Sequence, residues 1–146
     1  MQITDVKDAS REAVNHPSHY AAHYKREVIE LTARFDFTTG NAIKYVLRCR
    51  YKALPAEDLQ KARWYLNYFI DHPDVGFCDE EAAKPALADF LADLLGKDDE
   101  FGRDAARFLE SLAQAVAEKD FSARKPFTDR STAALDALIA RAAKKL

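Results

Sequence analysis

Apolar residues recur at helical spacing along most of this chain, and no stretch settles into the strict alternation of a strand. That pattern points to packed helices. The scarcity of breakers agrees, because four glycines and five prolines in 146 residues favour long regular elements over tight turns. The expected class is all-α: an antiparallel helical hairpin core with additional C-terminal helices. An apolar share of 48% is enough to fill a core, and 32% charged residues supply a solvated surface.

The breakers mark the joints. Residues 1–13 are polar and aperiodic and read as a flexible leader. The following Val14-Asn15-His16-Pro17-Ser18-His19-Tyr20 is extended or turn-like around its proline. A first helix is expected over about 24–35, with Val28, Ile29, Leu31 and Phe35 near helical spacing. Thr38-Thr39-Gly40-Asn41 offers start residues for a second, whose apolar stripe is Ile43, Val46 and Leu47. Pro55, Glu57 and Asp58 suit the first turn of a third, which runs to about residue 71 and buries Leu59, Ala62, Leu66, Phe69 and Ile70. So short a link makes the second and third antiparallel. His72-Pro73-Asp74-Val75-Gly76 reads as a boundary between a domain at 14–72 and a helical extension at 73–146. The extension is expected to hold helices near 80–95, 100–119 and 131–145, with a proline-bearing turn at 123–129.

Several classes of function are excluded. No apolar run approaches the roughly 20 residues of a membrane span, and the first residues lack the basic start and apolar stretch of a signal peptide. Cys49 and Cys78 are too few for a disulfide framework and lack zinc-type spacing, so they read as reduced thiols. No G-x-x-x-x-G-K-[ST] phosphate loop, dinucleotide G-x-G-x-x-G or G-x-S-x-G elbow is present.

Charge points to a small anion. The chain is −2 overall, yet residues 1–72 carry +2 and the remainder −4. Residues 43–63 hold Lys44, Arg48, Arg50, Lys52, Lys61 and Arg63 against Glu57 and Asp58. A basic cluster within an acidic protein suits a small anionic ligand better than a long nucleic acid. Asn41, Lys44, Arg48 and Lys52 share one helical face, and its cations can converge on phosphate oxygens or stand as a solvated face. The Gly40-Asn41 start is expected to offer backbone N–H groups to an anion. His16, His19 and His23 can bind phosphate or move protons, or they cap a loop; no metal site is expected there. Glu27 and Glu30, one helical turn apart, are a weak carboxylate pair. Tyr20, Tyr45, Trp64, Tyr65 and Tyr68 can stack on a base or fill a core or interface.

Three stretches in order go further. Val14-Asn15-His16-Pro17-Ser18-His19-Tyr20, Gly40-Asn41-Ala42-Ile43-Lys44-Tyr45-Val46-Leu47-Arg48 and Asp58-Leu59-Gln60-Lys61-Ala62-Arg63-Trp64-Tyr65-Leu66 resemble the motifs V-N-H-P-x-H-Y, G-N-A-I-K-Y-[IV]-x-R and D-L-x-K-A-x-W-Y-L. Glu27-Val28-Ile29-Glu30 resembles the short E-V-I-[DE] segment between them. Together they resemble a small bacteriophage family, long catalogued as of unknown function, whose coliphage T-seven branch is a nucleotide kinase without a P-loop. The resemblance spans residues 14 to about 70. Ala21-Ala22 stands where that family commonly has a glycine, and the sequence from Asp79 onward resembles nothing recognisable.

The resemblance implies a cytoplasmic protein of the infected host that acts as a deoxynucleoside monophosphate kinase. A nucleoside triphosphate would be the phosphoryl donor, and the magnesium requirement is left open. It implies His16, His19, Lys44, Arg48 and Asp58 as catalytic residues. Asn15, Tyr20, Asn41, Lys44, Arg48, Lys61, Trp64 and Tyr65 would bind the nucleotide. Nucleotides are the expected partners, with a homo-oligomer and no membrane. The alternative is a protein that sequesters a host signalling nucleotide without turnover. A nucleotide hydrolase is a weaker reading, since carboxylates near the core motifs are sparse, and a structural or protein-interaction module would have the Ala/Leu-rich tail as its working part.

Overall fold

The computed structural model describes residues 23–51 and 54–144, and the fold among them is all-α. The helices are α1 (Val28–Thr32), α2 (Phe37–Cys49), α3 (Pro55–Asp71), α4 (Glu80–Gly96), α5 (Glu100–Ala117) and α6 (Lys125–Lys144). A 3₁₀ turn, Phe121–Ala123, precedes α6. None of these helices is long and apolar enough to cross a membrane.

The first helix is much shorter than its apolar period suggests, because polar contacts claim the residues on either side. Ahead of it, the Lys25 N–H donates to Asp93 at 2.8 Å and Arg26 Nε to Asp89 at 2.6 Å, tying this segment to α4. Glu30 accepts from the Glu27 N–H at 2.7 Å, which closes the helix start. Behind it, Arg34 and Asp36 exchange backbone hydrogen bonds with Asp79 and Phe77. The Glu27–Glu30 spacing therefore serves a cap. Val28, Leu31 and Phe35 are buried as expected, but Ile29 is exposed.

The hairpin of α2 and α3 is antiparallel: Phe37 near the start of α2 meets Tyr65 of α3, while Arg48 near its end meets Asp58. Ala42, Ile43, Val46 and Leu47 pack with Leu59, Ala62, Leu66 and Phe69 in the core. Ile70, expected inward, turns out to solvent. Gly40 lets the end of α1 lie close, since a Cβ there would come within 3.1 Å of the Thr32 carbonyl oxygen.

The C-terminal helices complete the same core. Phe90, Leu94, Phe108, Leu109, Leu112 and Leu135 are fully buried in one apolar cluster with the hairpin residues. At roughly 3–5 kcal/mol for truncating a buried phenylalanine, Phe108 alone matches a large part of a small domain's net stability. The last helix begins earlier than expected. Residues 125–130 are helical, because Pro126 falls in the first turn, where no N–H partner is lost. Two expected members of the basic cluster fasten this layer: Arg50 pairs with Asp99, and Arg63 with Asp136. Both cysteines are free.

Candidate functional site

The helix start at Gly40-Asn41 is not open to an anion. The helix begins earlier, at Phe37, and Asp36 caps it. The Asp36 carboxylate accepts from the Thr38 and Thr39 N–H groups at 3.1 and 3.2 Å, and its carbonyl accepts from the Gly40 N–H at 2.9 Å. Asp36 also takes the Thr39 hydroxyl and the Phe77 N–H. A built-in carboxylate thus holds the position an external anion would want.

The cations that do assemble lie further along α2. Lys44 Nζ, the Arg48 guanidinium carbon and Lys61 Nζ sit 4.7, 4.8 and 5.5 Å from the centre of the Tyr45 ring. Helical geometry brings this about. Lys44, Tyr45 and Arg48 lie within one turn of α2, and the antiparallel crossing brings Lys61 alongside. The ring's negative face attracts each cation at close range, typically by about 0.5–1 kcal/mol when exposed.

Asp58 fixes the site's geometry. It is almost wholly buried and accepts from Arg48 Nε at 3.2 Å and Nη2 at 3.3 Å. This side-on pair engages two of the five guanidinium N–H groups. Lys61 lies 3.5 Å from Glu57 on its own helix, in an exposed pair that contributes little to stability.

Aromatic rings continue the face. Tyr65 stacks on Tyr45 with centroids 6.1 Å apart and meets Phe37 and Trp64 edge-on. Trp64 stacks on Tyr68, which stacks on His72. Trp64 is 61% exposed and Phe37 76%, so neither is a core residue. The face is therefore graded. Arg48 and Asp58 lie at the end where α2 gives way to α3, Lys44, Tyr45 and Lys61 follow, and Tyr65, Trp64, Phe37 and Tyr68 lie beyond.

Of the expected site residues, Lys44, Arg48, Asp58, Lys61, Trp64 and Tyr65 come together here. Asn41 is on the same helix and donates its side-chain amide to the Phe37 carbonyl at 2.9 Å. Asn15, His16, His19 and Tyr20 lie outside the described residues, as do the 1–13 leader and Lys52. Arg50 and Arg63 are drawn away to the C-terminal layer. Phe37 and His72 were not foreseen. Phe37 carried a signal, standing four residues before Asn41 on the same helical face.

Fold and face together define an all-α protein whose helical hairpin carries a joined cationic and aromatic surface. Residues 14–67, just over a third of the chain, match the model of a family described as a protein of unknown function, DUF3310. That span contains all three sequence motifs. No curated protein and no solved structure matches the chain.

Proposed function

We propose that this protein binds a nucleotide on the α2–α3 face and transfers a phosphoryl group to it. The phosphates would lie over Lys44, Arg48 and Lys61, and the base would stack on the exposed rings around Trp64. The observation that carries the reading is the gathering of three cations around Tyr45, in ring contact with an exposed aromatic shelf. Phosphoryl transfer needs positioning and neutralisation of charge more than covalent catalysis, and this face offers both. A terminal phosphoryl group would pass from a nucleoside triphosphate to a deoxynucleoside monophosphate, leaving two diphosphates. The resemblance to phage nucleotide kinases supports that choice of reaction. The test is incubation of the purified chain with dTMP or dGMP and a nucleoside triphosphate, followed by separation of the products. Diphosphate formation that falls with Lys44→Ala is expected, and no diphosphate above background removes the kinase reading.

One observation favours a second reading, capture of a nucleotide without turnover. Arg48 engages both oxygens of Asp58, so this carboxylate is committed to holding a cation. Calorimetry against a nucleotide panel separates the two, since tight binding with no product selects capture.

A further inference from the structure

A second site lies where α3 ends and α6 begins. Phe69, Ile70, Pro73, Phe121, Arg124 and Thr128 line a cleft of about 360 Å³, with Lys125 and Asp129 at its edge. Arg124 is unusual for an arginine in being more than nine-tenths buried. Its guanidinium lies 5.1 Å from the Phe69 ring centre and 4.6 Å from that of Phe121.

A structural role accounts for part of this side chain. Nε donates to the Glu118 carbonyl at 3.0 Å and Nη1 to the Pro73 carbonyl at 3.3 Å, which fastens the 118–124 turn to the end of α3. Three of its five N–H groups then have no protein acceptor among the described residues. Nor does any described carboxylate come within ion-pair distance of it. The charges of Asp36 and Glu118 act on it only from further off, and burial pulls its pKa below the ordinary arginine value. Nη2 of this largely buried cation is not sealed from solvent, so an arriving anion can reach it and supply the direct counter-ion that no described carboxylate provides. Asp129 does not supply this charge, because both its oxygens face Lys125 Nζ, at 3.0 and 3.1 Å.

We infer that this cleft binds a small molecule with a carboxylate or phosphate head, seated on Arg124, and an aromatic or apolar body lying against Phe69, Ile70 and Phe121. The apolar walls select the body, and the guanidinium, which forms paired hydrogen bonds to planar or tetrahedral oxyanions, selects the head. None of these residues belongs to the Tyr45 site, so the inference does not depend on the nucleotide reading.

The test is titration of the full chain with benzoate and with phenyl phosphate, followed by NMR, with benzyl alcohol as the uncharged control. The expected result is saturable shifts at Phe121, Lys125 and Thr128 for at least one anion, with a midpoint near or below about 1 mM. Benzyl alcohol should bind at least about tenfold more weakly, and Arg124→Gln should lose about tenfold for the anion. Absence of saturable shifts at these residues, equal binding of the alcohol, or undiminished binding by Arg124→Gln would each overturn the inference. Should Arg124→Gln fail to fold, Phe121→Ala and Lys125→Ala alter only exposed side chains. Each is expected to weaken the anion several-fold, and unchanged affinity in both would overturn the inference as well.

Discussion

Arg48 presents Nε and Nη2 side-on to the two carboxylate oxygens of Asp58, at 3.2 and 3.3 Å, across the α2–α3 hairpin. The pair joins a buried acid to a partly exposed cation, so its two members are not equivalent. Removing the charge of Asp58 leaves Arg48 without its carboxylate beside the core. Asp58→Asn is expected to destabilise the fold by about 2–3 kcal/mol, at or below the lower bound for a broken buried pair because Arg48 still reaches water. Urea unfolding checks this. Arg48→Lys should weaken nucleotide binding as well as stability, because an ammonium cannot reproduce the paired geometry.

The chain's one tryptophan provides a direct probe of the aromatic shelf. Trp64 is 61% exposed, and its ring contacts among the described residues are with neighbouring tyrosines, Tyr65 and Tyr68. Its emission is expected to be that of a solvated indole, readily quenched by acrylamide. A bound base should lower both the intensity and the access of the quencher. Trp64→Leu should change stability by no more than about 0.5 kcal/mol and weaken nucleotide binding by about 1–3 kcal/mol. A full loss of stability with intact binding would reverse the assignment.

The sequence was most legible where one period repeats over several turns. The hairpin stripes of Ile43, Val46, Leu47, Leu59, Ala62 and Leu66 are readable for that reason, as is the shared face of Lys44 and Arg48, whereas Lys61 on the next helix is marked only by the motif resemblance. It was least legible where a polar side chain from a distant element intervenes. The first helix is short because Asp89, Asp93 and residues 77–79 take hold of its flanks, and no local pattern announces that. The start of α2 lies earlier than Thr38-Thr39-Gly40-Asn41 suggests because Asp36 outcompetes Thr38 as a cap, bonding two amides and a hydroxyl. Pro126 suggests a turn ahead of the last helix, but proline is equally suited to a first turn, and the helix starts at Lys125. Arg50 and Arg63 looked like members of the site because sequence proximity cannot separate them from Arg48. Their partners, Asp99 and Asp136, stand far along the chain.

Asp99 caps α5 through the Gly102 N–H at 2.7 Å and also receives Arg50. The Arg50 hydrogen bond leads in holding its carboxyl below the ordinary 3.8, while partial burial opposes it. The sign follows. A carboxylate whose folded pKa is depressed contributes stability above its unfolded value, and that contribution disappears as pH falls through the lower, folded value. Asp99→Asn retains a capping side chain but loses the ion pair. The variant should therefore unfold at lower urea than the parent at pH 7, and the gap should narrow below about pH 4. Urea midpoints measured at both values check it, and a gap independent of pH would refute the coupling.

The two thiols should differ in reactivity even though both are free. Cys49 is buried, donates toward the Val46 carbonyl at 3.2 Å, and is pushed up to about 12 chiefly by desolvation. Cys78 is only partly buried and is pushed up to about 11, again mainly by desolvation, with Glu80 and Asp79 adding to it. Thiolate is the reacting form, so both thiols stay almost wholly protonated at pH 8, and the greater exposure of Cys78 sets them apart. Ellman's reagent should therefore label Cys78 slowly in the native protein, and Cys49 at a rate limited by opening of the core. Adding urea should bring both rates together. Faster native labelling of Cys49 than of Cys78 would mean that the end of α2 opens more readily than its packing implies.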